Sequence, residues 1–207
     1  FSHNGKKLFW AARNIANNNK KGEWMLKVAD FIDDPTYGPR LENENSYQPL
    51  GSNAFYESHS FGLDDETLIF SASLSTIEYD LDIYSYTPAT KKLVNLTNFP
   101  GDWDEHGILS PSGKKISWIS SYTYNYKPSK NWASTLKADL WIMNPDGSKK
   151  EKLTHFNELG HSDYNNERII AADNSWNKKS DKLLMSAAYI GKNRGTRIYL
   201  IEFNHPQ

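Results

Sequence analysis

The segment Asp104–Thr154 constrains this chain most, because it holds four short strand-like runs in succession and the rest of the sequence repeats them. The runs cover 107–110, 115–120, 139–144 and 150–154 and are rich in β-branched and aromatic residues. Pro111-Ser112-Gly113 and Asn144-Pro145-Asp146-Gly147 supply the turns between them. Gly and Asp tolerate the positive φ such turns need, and Pro presets the first central residue. Four consecutive antiparallel strands make one propeller blade.

A second copy runs through 55–61, 67–73, 80–86 and 92–97, with Thr87-Pro88-Ala89-Thr90 in place of the Asn-Pro-Asp-Gly turn. The shared endings Leu96-Thr97 and Leu153-Thr154 set the phase. A further copy offers 167–172, 181–187 and 197–203, and Phe1–Trp10 parallels Leu109–Trp118. The chain is thus expected to open inside a repeat, lacking the first blade's inner strand and the last blade's outer one. Approximate blades are 1–50, 53–99, 103–156 and 163–207 of a single partial propeller. Within the first, 14–21 reads as a polar loop, 24–29 as a strand, and 30–48 as a long irregular connection that departs from the repeat. A spacing of about 40–65 residues with four strands per unit suits a solenoid or sandwich less well. The period-2 pattern places Leu8, Trp10, Ile69, Ile83, Ile116, Trp118, Leu140, Ile142, Leu183 and Ile198 in the core between blades.

Composition removes several function classes. The formal net charge of −1 argues against the clustered basic face that nucleic-acid binding requires. Lysine pairs such as Lys114-Lys115 and Lys149-Lys150 recur at strand starts and read as solvated edges. No run of about 18 apolar residues is present to span a membrane. With no cysteine, disulfides and thiolate chemistry are excluded, which leaves the compartment open.

Blade topology sorts the connections to two ends. Short turns at 111–113 and 144–148 share one end, and the longer connections at 14–22, 98–103, 122–137, 157–166 and 189–195 share the other. Binding groups sit preferentially on longer loops carried by a rigid scaffold. Two constellations fall there. Glu57, Glu105 and Glu167 each precede a matching strand position by four residues, at Phe61, Leu109 and Ala171, and are followed by His59, His106 and Arg168. Such a polar ring at a channel mouth suits a cation or an amine, with the imidazoles as metal ligands if they converge. The alternative is that the repeated glutamates bond backbone or side chains of the neighbouring blade. In the second constellation, Tyr122, Tyr124, Tyr126 and Trp132 occur without strand alternation. They suit contact with a protein or sugar, or else fold back over the blade as a local core.

Asn95-Leu96-Thr97 spells a glycosylation sequon but falls on the repeat's own ending, and Asp64-Asp65-Glu66 falls where other copies turn. No Gly-x-Ser-x-Gly elbow, phosphate-cradling glycine loop or His-Glu-x-x-His occurs, so local support for hydrolase or nucleotide chemistry is absent.

Three runs carry a family resemblance: the stretch from Ser110 to Trp118, the stretch from Asp139 to Ser148, and Lys152-Leu153-Thr154. Together they resemble TolB-like β-propeller repeats over nearly the whole chain. The resemblance implies an all-β propeller of four-stranded antiparallel blades, with about four blades present as the later part of a larger, six-bladed ring. A complete four-bladed ring is the alternative. Similar repeats form the propellers of periplasmic envelope proteins and of prolyl-oligopeptidase-like enzymes. The implied function is a non-catalytic periplasmic or extracellular module that binds a protein partner, a ligand or the remaining part of its own propeller. The alternative is the propeller portion of an enzyme, either gating a peptidase or acting as a metal-dependent sugar-acid lyase. No cofactor is expected beyond a divalent cation in the channel.

Overall fold

A computed structural model describes residues 1–14, 23–74 and 79–207, and these form fourteen strands and one helical turn. The first sheet is β1 (Lys7–Asn14), β2 (Glu23–Asp34) and β3 (Gly38–Tyr47). The second is β4 (Phe55–Phe61), β5 (Leu68–Ser73), β6 (Asp82–Thr87) and β7 (Lys92–Asn95). The third is β8 (Asp104–Leu109), β9 (Ile116–Ser120), β10 (Asp139–Met143) and β11 (Glu151–Lys152). The last is β12 (Arg168–Trp176), β13 (Lys182–Ile190) and β14 (Gly195–Glu202). All are antiparallel meanders, and a single turn, α1 (Trp132–Thr135), interrupts the connection from β9 to β10.

Alternation along each strand sends successive side chains to opposite neighbours, and this stacks the four sheets side by side in chain order. In the second sheet Tyr56, Phe70 and Tyr84 pack toward the first, beside Leu26, while Ile69 and Ile83 pack toward the third, beside Leu109, Ile116, Trp118 and Met143. Ile119 and Leu140 then face Ile169, Leu183 and Met185 of the last sheet. Each blade interface is therefore an apolar layer of its own. Among the end strands, β8 touches β4 on one side and β12 on the other, and together they form the inner wall.

The Leu-Thr endings have a specific mechanical role. Thr97 Oγ1 donates to Asp82 (2.8 Å) and accepts from the Ile83 amide (3.0 Å), while the Phe99 amide donates to the same carboxylate (3.0 Å). Thr154, Asp139, Leu140 and Phe156 repeat this clasp at 2.8, 3.0 and 3.0 Å. The Asn95 side chain also donates to Asp82 (2.8 Å), so the sequon serves the clasp.

The expected irregular connection at 30–48 is instead a long hairpin. β2 runs to Asp34, whose Oδ1 accepts the amides of Thr36 (2.8 Å) and Tyr37 (3.1 Å), and β3 returns from Gly38, which has φ +82°. Being an edge strand exposed on both faces, β3 carries Arg40, Glu42 and Glu44 rather than alternating apolar residues. Ile198 is likewise not in the core: it is 67% exposed, whereas its register equivalents Ile83 and Leu140 are fully buried. Leu8 and Trp10 are half-buried, because they lie on the first sheet's face away from the second. The expected loop over 14–21 lies, from 15 onward, outside the described residues.

Candidate binding site on the inner strands

Each inner strand carries a β-bulge. In β4 the register shifts between Ser58 and Ser60, in β8 between Glu105 and Ile108, and in β12 between Ala171 and Asn174. A bulge sets two residues against one, bends the strand and re-aims a side chain. The residues inside these bulges are His59, His106 with Gly107, and Ala172 with Asp173. Glu57 stands two residues before His59, and Glu105 immediately before His106.

The bulges are locked to one another from blade to blade. Ser60 Oγ donates to the Gly107 carbonyl (3.2 Å) and accepts from the Leu109 amide (3.3 Å). Asn174 Nδ2 donates to the His106 carbonyl (2.9 Å), its Oδ1 accepts from Ser117 (2.5 Å), and the Trp176 indole donates to the Ile108 carbonyl (3.2 Å). His106 is held at φ +56°, and a Cβ on Gly107 would lie 3.0 Å from Ile83 Cγ2. A bulkier residue there would push the bulge off the layer beneath.

Within this frame Glu57, His59 and His106 each place a ligand atom within 4.8 Å of the others. The two imidazoles lie 5.8 Å apart between ring centres. Burial drives the His59 pKa down to about 3, with the nearby His106 adding to the effect. Ser71 Oγ, 2.5 Å from His59 Nε2, donates its proton to the Asp104 carbonyl (3.1 Å). Glu105 Oε2 accepts the Trp103 indole proton (2.7 Å) and lies 3.7 Å from His106 Nε2, while Asp173 Oδ1 lies 3.4 Å from His106 Nδ1. Burial and then the neighbouring Glu57 carboxylate hold the Glu105 pKa well above the usual carboxylate range. Glu57, Glu105 and Asp173 set three carboxyl groups around the two imidazoles, an arrangement that favours a cation.

Of the residues singled out in the sequence, Glu57, His59, Glu105 and His106 are brought together. Glu167 and Arg168 are not. Register pairs Trp176, not Ala171, with the position of Phe61 and Leu109, so Ala172 takes the place of the two glutamates. Glu167 lies before β12, where its carboxylate accepts from the Asn193 amide (3.3 Å) and side chain. Arg168 donates to the carbonyls of Ala133 (3.0 Å) and Leu136 (2.9 Å), pinning α1 to the last blade. Asp173 takes the place of His106 in that register and was missed because the strand was aligned on Ala171 instead.

The aromatic loop folds back onto the blades. Tyr126 is buried edge-on against Trp103 (6.2 Å), Trp132 packs on Trp103 (4.6 Å), and both belong to a layer with Leu81 and Leu136. The Tyr124 hydroxyl donates to Asp139, beneath Lys152 Nζ at 4.8 Å from the ring. Tyr122 stacks on Phe99 at 3.8 Å and remains 40% exposed.

At the short-turn end an open groove of about 300 Å³ lies between the second and third sheets, lined by Leu63, Ile69, Leu109 and Pro145. Its carboxylate, Asp64, is occupied by the amides of Glu66 (3.0 Å) and Thr67 (2.8 Å) and the Thr67 hydroxyl (2.7 Å). Asp65 and Glu66 bind His3 (2.5 Å) and Lys7 (2.5 Å) of the first blade. The acidic triplet is thus a turn and a clasp between blades.

No protein-family model and no curated protein sequence matches the chain. Solved structures do. TolB structures from Agrobacterium tumefaciens and Acinetobacter baumannii superpose with TM-scores of 0.57 and 0.51 at 16% and 13% identity, covering 96% and 98% of this chain. A puromycin-hydrolyzing peptidase from Mycobacterium tuberculosis superposes over 98% of this chain with a TM-score of 0.57 at 12% identity. The chain spans 59%, 51% and 27% of those three proteins, respectively. No helix among the described residues is long and apolar enough to cross a membrane. Four antiparallel sheets packed face to face, inner strands meeting at one wall, and these superpositions together make the fold of this chain that of the TolB-like β-propellers.

Proposed function

We propose that this chain is a non-catalytic binding module of an extracytoplasmic assembly, and that it takes a cationic group on the inner wall formed by β4 and β8, with Asp173 of β12 at its rim. The observation that carries this reading is the set of three interlocked bulges, which turn His59, His106 and Asp173 beside Glu57 and Glu105. The charged groups acting on Glu105 are Glu57 and Asp173, and both are acidic. A bound cation would relieve that repulsion. The macromolecular partner is a protein or the remaining part of the same propeller, meeting the open face of the last blade.

The site is tested by calorimetric titration with guanidinium, alkylammonium and divalent metal salts, comparing wild type with the double variant Glu57→Gln/Glu105→Gln. At least one cation should bind wild type about tenfold or more tightly than the variant. Equal weak binding across the panel would remove the inner wall as a site.

The match to the propeller-containing stretch of a peptidase supports a second reading, in which the propeller accompanies a catalytic domain. A hydrolase domain in the parent chain, active on peptides only when the propeller is attached, would decide for it.

A further inference from the structure

The donor set narrows the kind of cation. Two imidazoles and one carboxylate, contributed by adjacent strands and converging to within 4.8 Å, suit a borderline divalent metal ion far better than calcium or magnesium, which take oxygen ligands. We propose that Glu57, His59 and His106 bind one divalent transition-metal ion of the zinc type on the inner wall. This rests on the reading of that wall as a cation site and names the cation.

Three features of the surroundings support the assignment. The ligands come from bulged strands rather than mobile loops, and the bulges are held by Ser60 and Asn174, so little ordering remains to be done on binding. Imidazole ligands hold their orientation through a hydrogen bond at the second ring nitrogen, and Ser71 supplies it for His59. For His106, the Asp173 carboxylate lies 3.4 Å from Nδ1, on the side where such an acceptor is needed when Nε2 takes the metal. With three protein ligands and His106 24% exposed, the ion would keep a position open to solvent or to a ligand.

The competing account is a metal-free polar network that merely joins two blades. The two accounts differ in what added metal does. The metal-stripped protein is titrated with zinc(II) by calorimetry and with cobalt(II) by visible absorption. Wild type should take up one equivalent and develop the d–d bands of a cobalt ion held by nitrogen and oxygen. His106→Ala should weaken zinc binding about 100-fold or more. Should His106→Ala fail to fold, Glu57→Gln, which nearly preserves shape, should still weaken it with an unchanged circular dichroism spectrum. Glu167→Gln should bind like wild type. No stoichiometric uptake by the folded wild type, or equal affinity in His106→Ala and Glu57→Gln, overturns the assignment. Binding of ammonium or guanidinium probes without metal uptake also overturns it, while leaving the cation-site reading standing.

Discussion

Single side chains decide whether the loop from 122 to 132 is a binding surface or part of the blade. Asp139 is fully buried, and its carboxylate survives there because Thr154, the Phe156 amide and the Tyr124 hydroxyl all donate to it. Tyr124→Phe leaves one buried carboxylate oxygen without that donor and should destabilise the protein by about 1–3 kcal/mol in urea denaturation at neutral pH. Burial raises the Asp139 pKa above its ordinary 3.8, and the Tyr124 hydroxyl opposes the rise. A raised folded pKa means that the native state binds the proton more tightly, so stability from this group falls as pH rises above 3.8. Removing the hydroxyl raises the folded pKa further. The deficit of Tyr124→Phe should therefore shrink as the pH is lowered from neutral toward 3.8, and a deficit that grew on acidification would contradict the assigned contact.

At the scale of elements, turns and layers carry the load. Gly147 ends the Asn-Pro-Asp-Gly turn at φ +83°, and a Cβ there would lie 2.6 Å from the Leu96 carbonyl oxygen of the neighbouring blade. Gly147→Ala should cost at least about 1–2 kcal/mol from the left-handed backbone alone, read as a lowered urea midpoint. Trp118, fully buried in the layer between second and third blades, donates its indole proton to Asp104 (3.0 Å). Trp118→Ala should cost about 3–5 kcal/mol, and a loss below about 1 kcal/mol would place the ring outside that layer.

Over the whole molecule, the same repeat position has different worth in different blades. Leu140 and Ile198 are register equivalents, but Leu140 is covered by the last blade while Ile198, Leu184 and Leu200 form an uncovered apolar face. Leu140→Ala should cost about 2–5 kcal/mol and Ile198→Ala under about 1 kcal/mol, measured side by side by urea denaturation. If the remaining part of a propeller packs on that face, the cost at Ile198 should rise toward that at Leu140 when it is present.

Period-2 alternation, the Asn-Pro-Asp-Gly and Pro-Ser-Gly turns and the Leu-Thr endings were enough to read the blades from the sequence, because each is a local requirement of a strand or turn. The same pattern marked Glu57, His59, Glu105 and His106, which share strands with that repeat. Tertiary structure alone decided the rest. β3 was illegible because an edge strand wet on both faces has no apolar period to show. Ile198 looked like core because alternation records which way a side chain points, not whether anything covers it. Glu167 was matched to the wrong register because the strand was aligned on Ala171, whereas pairing puts Trp176 in the place of Phe61 and Leu109, and that misalignment also hid Asp173, which takes the place of His106. Convergence of the two histidines is a property of two adjacent strands bent by bulges that Ser60 and Asn174 fasten together across blades, contacts separated by about 50–70 residues that no local pattern encodes.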